Sequence, residues 1–373
     1  MSAVDLTDND ARTPAPPRGS EYAELLGRVR RAGLLERRPA RSAAYLAAGL
    51  LLLAAGWAAF VLVGDSWWQL FTAVGLAVAF TQNGFITHDA GHRQLFRSRG
   101  ANQVVGLVHG NLAIGLAFGW WVDKHHRHHT HPNQEGLDPD IGGEDLVYTD
   151  AQARARRGPG RLVARYQGLL FFPMLLLLSI AIRVDGVKAM SRRGYRSRLP
   201  EAVLFGLHVA AYLTAVLTVL SPLKAVVFVA VHQGLLGLYL GSVFAPNHKG
   251  MPILARDDNS DFLRRQVLTA RNVRGGPLTD LLLGGLNYQI EHHLFPSMPR
   301  RSLRRAQPIV RAHCRDHDLP YAETSLIDSY RQALRHLDSV GRSTGRAHAP
   351  RANPDSAGDR SRSPALTGVR SDH

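Results

Sequence analysis

The sequence predicts an all-α integral membrane protein. Four transmembrane helices form two hairpins, joined by re-entrant or interfacial helices and closed by a cytoplasmic helical cap. Three observations carry this reading. Hydrophobic residues, 45% of the 373, collect into blocks, and several are as long as the roughly 20 residues that cross a bilayer. Arginines collect between those blocks and at both ends, the asymmetry that orients membrane proteins. Histidines cluster at the ends of the apolar blocks or outside them.

Residues 1–42 form a basic N-terminal segment. It opens with a Pro-, Ser-, Asp- and Thr-containing lead, followed by "YAELLGRVRRAGLLERR" (22–38). That stretch reads either as an amphipathic helix on the membrane surface or as an ordinary solvated basic helix. It lacks the apolar core of a cleaved signal peptide. The net charge of +15 invites a nucleic-acid reading. No helix-turn-helix, zinc-finger or aromatic RNA-binding motif accompanies it, so orientation in the membrane and attraction to anionic lipid explain the charge instead. The single cysteine, Cys314, excludes an intrachain disulfide and a cysteine-rich metal site.

The membrane domain spans 43–340. Its first two blocks, 43–64 and 66–87, flank a turn at Gly64 and Asp65 that carries no Lys or Arg, whereas eight arginines precede them. The positive-inside rule puts the N-terminus in the cytoplasm and that turn outside, with Trp67 and Trp68 at an interfacial belt. Blocks 202–220 and 222–245 make a second hairpin about Ser221 and Pro222. Two further blocks are expected not to cross. Residues 102–121 contain His109 and Asn111, which hydrocarbon tolerates only inside protein. Residues 168–182 are short, interrupted by Pro173 and flanked by arginines on both sides. From 246 to about 340 the chain reads as a cytoplasmic helical cap. Residues 341–373, rich in Pro, Gly, Ser and Arg, read as a disordered basic tail.

The chemistry lies in the histidines. "KHHRHHTHPN" (124–133) puts five histidines into seven positions, and the economical reason for clustered neutral imidazole is a metal. "HDAGH" places His88 and His92 at i, i+4, one helical face. His125, His128 and His129 fall at i, i+3 and i+4, with His126 and His131 out of register. "QIEHH" repeats that arrangement with Gln289, His292 and His293. Seven histidines exceed the four ligands of one tetrahedral zinc and suit two metals. Imidazole favours Zn, Cu, Fe or Ni over Mg, Ca and Mn, and a di-iron site gives an all-nitrogen cluster facing the bilayer a use. His248, in "APNHKGMP" just past the last block with Asn247 beside it, is a further candidate. His208 and His232, inside apolar blocks, read as interhelical hydrogen-bonding groups, and His313, His317 and His336 as surface residues.

"HDAGH", "KHHRHH" followed by "HPN", and "NYQIEHHLFP" resemble, in order, the three histidine boxes of the membrane fatty acid desaturases, over about residues 43–310. The Gln-first third box is similar to that of front-end and some bacterial acyl desaturases. The resemblance implies that His88, His92, His125, His128, His129, His292 and His293 hold two non-haem iron ions, with His248 and Gln289 as further candidate ligands. It also implies O2 as co-substrate, reduced to two waters as a double bond enters an acyl chain. The acyl substrate would arrive as acyl-CoA, on acyl-carrier protein or in a phospholipid. Eukaryotic front-end desaturases often carry a fused cytochrome b5 domain with "HPGG", a sequence not found here. The expected electron donor is therefore a separate protein such as a ferredoxin or a flavin-containing reductase; "RRGYRSR" (192–198) is a candidate dock for it, although the plainer role of those arginines is to orient the chain in the membrane.

Asp89, Glu291, Asp138 and Asp140 are candidate acceptors for the outer N–H groups of metal-bound histidines. Gly115, Gly119, Trp120 and Trp121 are candidate walls of an acyl tunnel. Two rival readings remain from the residues. A membrane hydroxylase or other lipid or hydrocarbon oxygenase uses the same metals. A zinc-binding membrane transporter would need its ligands within the crossings.

Overall fold

The computed structural model describes residues 18–344 except 144, 196 and 197. The remainder of the N-terminal lead, part of the 192–198 loop and residues 345–373 lie outside the described residues.

The described residues are mostly helical. Helix α1 (Arg18–Arg31) leads to α2 (Pro39–Val63) and α3 (Gln69–Gly91). Next come α4 (Arg99–Gly106), which runs on as a π-helical stretch over Leu107–Ile114, and α5 (Phe118–Thr130). Short helices α6 (Asp150–Ala155), α7 (Gly158–Arg165) and α8 (Gln167–Leu175) precede α9 (Leu178–Ser191). The second long pair is α10 (Arg198–Val219) and α11 (Pro222–His248). The cap contains α12 (Phe262–Thr269), α13 (Pro277–Leu282), α14 (Gln289–Leu294), α15 (Arg300–Asp316) and α16 (Leu326–Gly341). Two-residue strands β1 (Asn272–Val273) and β2 (Glu323–Thr324) pair in parallel.

Helices α2, α3, α10 and α11 are long and apolar enough to cross a membrane. They overrun the apolar blocks, because polar residues continue the helix once it is nucleated: α2 begins at Pro39, α3 runs to Gly91, α10 starts at Arg198 and α11 reaches His248. His248 is therefore the last residue of a long helix rather than a residue beyond it. Helices α3 and α11 pack side by side at the centre, while α2 and α10 are the outer pair, with little of their most apolar stretches buried. Leu51, Leu62, Phe71, Leu217 and Val226 stand exposed, a surface far more apolar than water tolerates but suited to lipid. The two hairpin turns adjoin: Asp65 accepts hydrogen bonds from Ser221 N at 2.9 Å and Lys224 Nζ at 3.0 Å. The histidines lie at the opposite ends of α3 and α11.

The other two apolar blocks are bent. Helix α4 with its π-helical extension meets α5 at 113°, and α8 meets α9 at 74°. At the first bend Gly115 takes φ +66°, a left-handed conformation that favours glycine, and a Cβ there would stand 2.7 Å from His208 Nε2. The polar groups of this block are satisfied by protein. His109 Nδ1 lies 2.8 Å from Asn83 Oδ1, and Asn111 Oδ1 accepts from Phe118 N at 3.2 Å. At the second bend, Pro173 precedes a tight turn in which Leu176 N and Leu177 N reach Pro173 O and Met174 O. Gly237 of α11 lets this turn approach closely, since a Cβ would lie 2.9 Å from Ser179 N.

The apolar face of α1 does not lie on lipid. Leu25, Val29 and the following Leu34 are buried in the cap core with Leu263, Ile290, Leu303 and Val310, and Glu21 pairs with Arg264 at 2.7 Å. His313 is also buried in the cap rather than exposed. His208 and His232 do bond between segments, to Leu112 O and the Tyr212 hydroxyl.

Candidate metal centre

The first two boxes are placed by helix ends. His88 occupies the last turn of α3, and His92 caps it, with its backbone N–H donating to His88 O at 3.1 Å. Helix α5 carries the second box, and the i, i+3, i+4 spacing turns His125, His128 and His129 inward. His126 and His131 fall elsewhere, the latter bonding Gln134 at 2.8 Å.

The one-turn helix α14 supplies the third box, and every residue of it is buried. Its position is set from outside. Asn272 of β1 accepts from Ile290 N at 2.9 Å and donates to Glu291 Oε2 at 2.7 Å, while the Tyr321 hydroxyl donates to Glu291 Oε1 at 2.8 Å. Glu291 thus anchors the box to the β1–β2 strap instead of accepting from a histidine. Burial, opposed by these bonds, pushes its carboxyl up to about 7.

The histidines converge as two groups. His88, His92, His125 and His292 form one, and His128, His248 and His293 the other; within each, the potential ligand atoms all lie within 4.8 Å of one another. The second box thus straddles both groups. His129 sits between them, stacked on His293 with ring centroids 4.1 Å apart and 4.7 Å from the ring of His292.

The outer nitrogens of the second group are all engaged by oxygens. His128 Nδ1 lies 3.0 Å from Asp138 Oδ2, His248 Nδ1 2.9 Å from Thr269 O, and His293 Nδ1 2.9 Å from Gln266 Oε1. The orientation of the Gln266 amide is fixed, because its nitrogen donates to His129 O at 3.0 Å. Each Nδ1 therefore carries the proton and each Nε2 a lone pair, that of His248 also facing the Gln289 side-chain amide at 2.8 Å. Those lone pairs face one another, with His248 Nε2 3.0 Å from His293 Nε2 and 3.4 Å from His128 Nε2. Facing lone pairs repel, a cation among the three nitrogens relieves that, and oxygen acceptors behind metal-bound imidazoles are the usual support of a metal site. In the first group, His88 Nε2, His92 Nε2 and both ring nitrogens of His292 are buried without a hydrogen-bond partner. An unpaired buried polar group costs about 1–3 kcal/mol, and a metal removes that cost. The residues fit a two-metal centre.

Burial holds the imidazoles of His125, His129, His292 and His293 well below their usual range, so they are neutral at pH 7, the form that ligates. Burial also disfavours charge on His128, but Asp138 outweighs it and the net direction is upward.

The remaining candidates separate. Asp89 lies 3.3 Å from His88 Nδ1 and pairs with Arg300 at 2.9 Å. Asp140 stands 3.5 Å from His128 Nδ1 and pairs with Lys124. Gln289 turns its amide nitrogen to His248 Nε2 at 2.8 Å, while its oxygen accepts from Asn247 at 3.2 Å. Sequence reasoning missed Gln266, Thr269 and Arg300, none of which has motif spacing. It also missed Arg271, which is buried and donates to Pro246 O at 2.6 Å, Gln332 Oε1 at 2.6 Å and Ser329 O at 3.1 Å. Arg271 ties the end of α11, and hence His248, to α16.

A cavity of about 920 Å³ opens onto both groups, reaching His88, His125, His128, His248 and His292. That is near the top of the roughly 300–1,000 Å³ range of small-molecule sites. Trp120, Trp121 and Gly115 line it together with Leu175, Leu178, Ile182, Leu236 and Leu240. Gly119 does not. It faces Glu201 and Tyr195, its N–H donating to Glu201 Oε2 at 3.0 Å.

Comparison with known proteins shows the family. The fatty acid desaturase family matches over residues 65–325. The chain is 32% identical over 292 residues to the acyl-lipid (9-3)-desaturase of Physcomitrium patens, covering 75% of this chain and 55% of that protein. It is 31% identical over 290 residues to the Delta(6)-fatty-acid desaturase fat-3 of Caenorhabditis elegans, covering 73% and 65%. With the Delta(8)-fatty-acid desaturase of Euglena gracilis it shares 31% identity over 294 residues, covering 75% and 70%. The chain thus spans less than two thirds of the length of the first two. Boxes, buried convergent imidazoles and this match lead to one conclusion: the chain belongs to the fatty acid desaturase family.

Proposed function

We propose that the chain is a membrane fatty acid desaturase, introducing a double bond into an acyl chain with O2 and two electrons at a histidine-ligated di-iron centre. The facing Nε2 lone pairs of His128, His248 and His293 carry this reading. The names of the relatives add an acyl-lipid or fatty-acid substrate. Two irons held by the eight histidines would supply the O2 activation that removes hydrogen from unactivated carbons, which side-chain acids and bases cannot do.

The residues of the chain have definite parts in this. His88, His92, His125 and His292 would hold one metal and His128, His248 and His293 the other, and the ring of His129 lies between the two groups. Asp138, Gln266 and the Thr269 carbonyl orient the rings. The apolar cavity walls take an alkyl chain and exclude water, while Trp121, stacked on His125 at 4.5 Å, positions it beside the metals. Four crossings as two hairpins leave the termini and the active site in the cytoplasm, where a separate ferredoxin or flavin-containing reductase delivers electrons.

The test is the fatty acid profile of a desaturase-deficient host expressing the chain with an electron donor, beside His128→Ala and His129→Ala. The expected product lacks two hydrogens and disappears in both variants. A product carrying one more oxygen would move the assignment to a hydroxylase. An unchanged profile from iron-loaded protein with donor and lipid present would refute desaturation.

A further inference from the structure

Away from the boxes, a second group of potential metal ligands joins the first helix to the cap. His313 and His317 occupy the last turn of α15 and the residue after it, at i, i+4, so both rings share one face. Their centroids are 4.2 Å apart. Glu24 of α1 lies across from them, and one ligand atom from each of the three falls within 4.8 Å of the others.

Ordinary core packing does not account for this group. His313 is fully buried, yet neither of its ring nitrogens has a hydrogen-bond partner. A buried imidazole left this way carries an unmet cost, and an apolar residue would fill the space without it. His317 Nε2 and Glu24 Oε2 are 3.5 Å apart, beyond the distance of a good hydrogen bond. The edge of a tetrahedron whose legs are about 2.1 Å, the length of a zinc–nitrogen or zinc–oxygen bond, is about 3.4 Å. The other carboxylate oxygen of Glu24, Oε1, is held at 2.6 Å by Arg28, which also reaches Asp316 at 3.5 Å. Oε2 is thereby aimed at the histidines as a single-oxygen ligand.

We propose that Glu24, His313 and His317 bind one divalent transition-metal ion of the zinc class, with water completing the shell. Two imidazoles and one carboxylate suit zinc, whereas calcium and magnesium require oxygen-rich sites. The ion clamps α1 onto α15. Helix α15 packs against α14, so the clamp stiffens the side of the cap behind the third histidine box without touching the box metals.

Zinc is titrated into the full chain, purified in detergent with its box sites loaded with iron, and both metals are counted after gel filtration. The expected result is one zinc per chain with iron retained, a higher melting temperature, and slower tryptic cleavage at Arg30 and Arg31. His317→Ala and Glu24→Gln should each lose the zinc and the protection while keeping their iron. Glu24 is exposed, so its variant tests ligation even where His317→Ala fails to fold. Zinc uptake by Glu24→Gln equal to that of the parent chain, or no zinc on the parent chain while iron is retained, would overturn the assignment.

Discussion

The Nε2 atoms of His248 and His293 lie 3.0 Å apart, and each ring has its other nitrogen committed to an oxygen 2.9 Å away. Two lone pairs held so close support the proposal that His248 is a metal ligand. His248→Ala is expected to reduce bound iron from two ions to about one per chain, since only His128 and His293 would remain in that group. Iron analysis of detergent-purified protein checks this. A full complement of two irons in the variant would remove His248 from the site.

Asp138 accepts from Asn133 N at 2.7 Å and Asp140 N at 2.8 Å as well as facing His128. Asp138→Asn keeps the shape and removes the charge. Loss of such an acceptor typically costs about 10–100-fold in metal affinity, and that range is expected here. Gln266→Leu should weaken binding similarly and leave His129 O without its donor, at about 1–3 kcal/mol of stability. Competition with a chelator measures the affinity, and thermal melting of apo protein the stability.

Chain-length preference should respond at Ile182, which lines the cavity, and not at Gly119. Ile182→Trp is expected to shorten the longest acyl chain converted, read from chromatographic profiles of products. Gly115→Phe should instead lower the folded yield, because a side chain there meets both a positive φ and His208. Strain of that kind costs about 1–3 kcal/mol. A well-folded Gly115→Phe protein with altered products would reverse this assignment.

The apo protein should lose stability as pH falls below 6.5. His125, His129, His292 and His293 are all pushed well below that ordinary value by burial. Unfolded chains take up these protons first, so unfolding gains favour from pH 6.5 downward until the depressed folded values are reached. Above pH 6.5 the effect is absent. Melting temperature against pH should therefore slope downward into acid with more than one proton involved, and bound iron, which keeps the folded rings unprotonated, should extend that slope to lower pH.

Much of the site was legible because ligation needs matched spacing. Two helices carrying rings at i, i+3 and i+4 show their shared face in the sequence whatever else they pack against. Asp89, Asp138 and Asp140 were found because they lie within or soon after a box. Glu291 met the same criterion and points the other way, since on a one-turn helix only the packing of Asn272 and Tyr321 decides which side a carboxylate takes. Gln266, Thr269 and Arg271 were not legible, because each is placed by contacts between elements distant in sequence.

The four long apolar helices and the spacing of the box histidines followed from the sequence alone. Each rests on local composition, length or periodicity, and a chain carries those wherever it goes. Tertiary structure alone decided that the second box is shared between two groups of imidazoles, that His248 joins one of them, and that the Gln289 amide lies against it. It also turned α1 and His313 into parts of the cap core. These are relations between side chains on different elements, and they exist only once α3, α5, α11 and α14 are brought end to end.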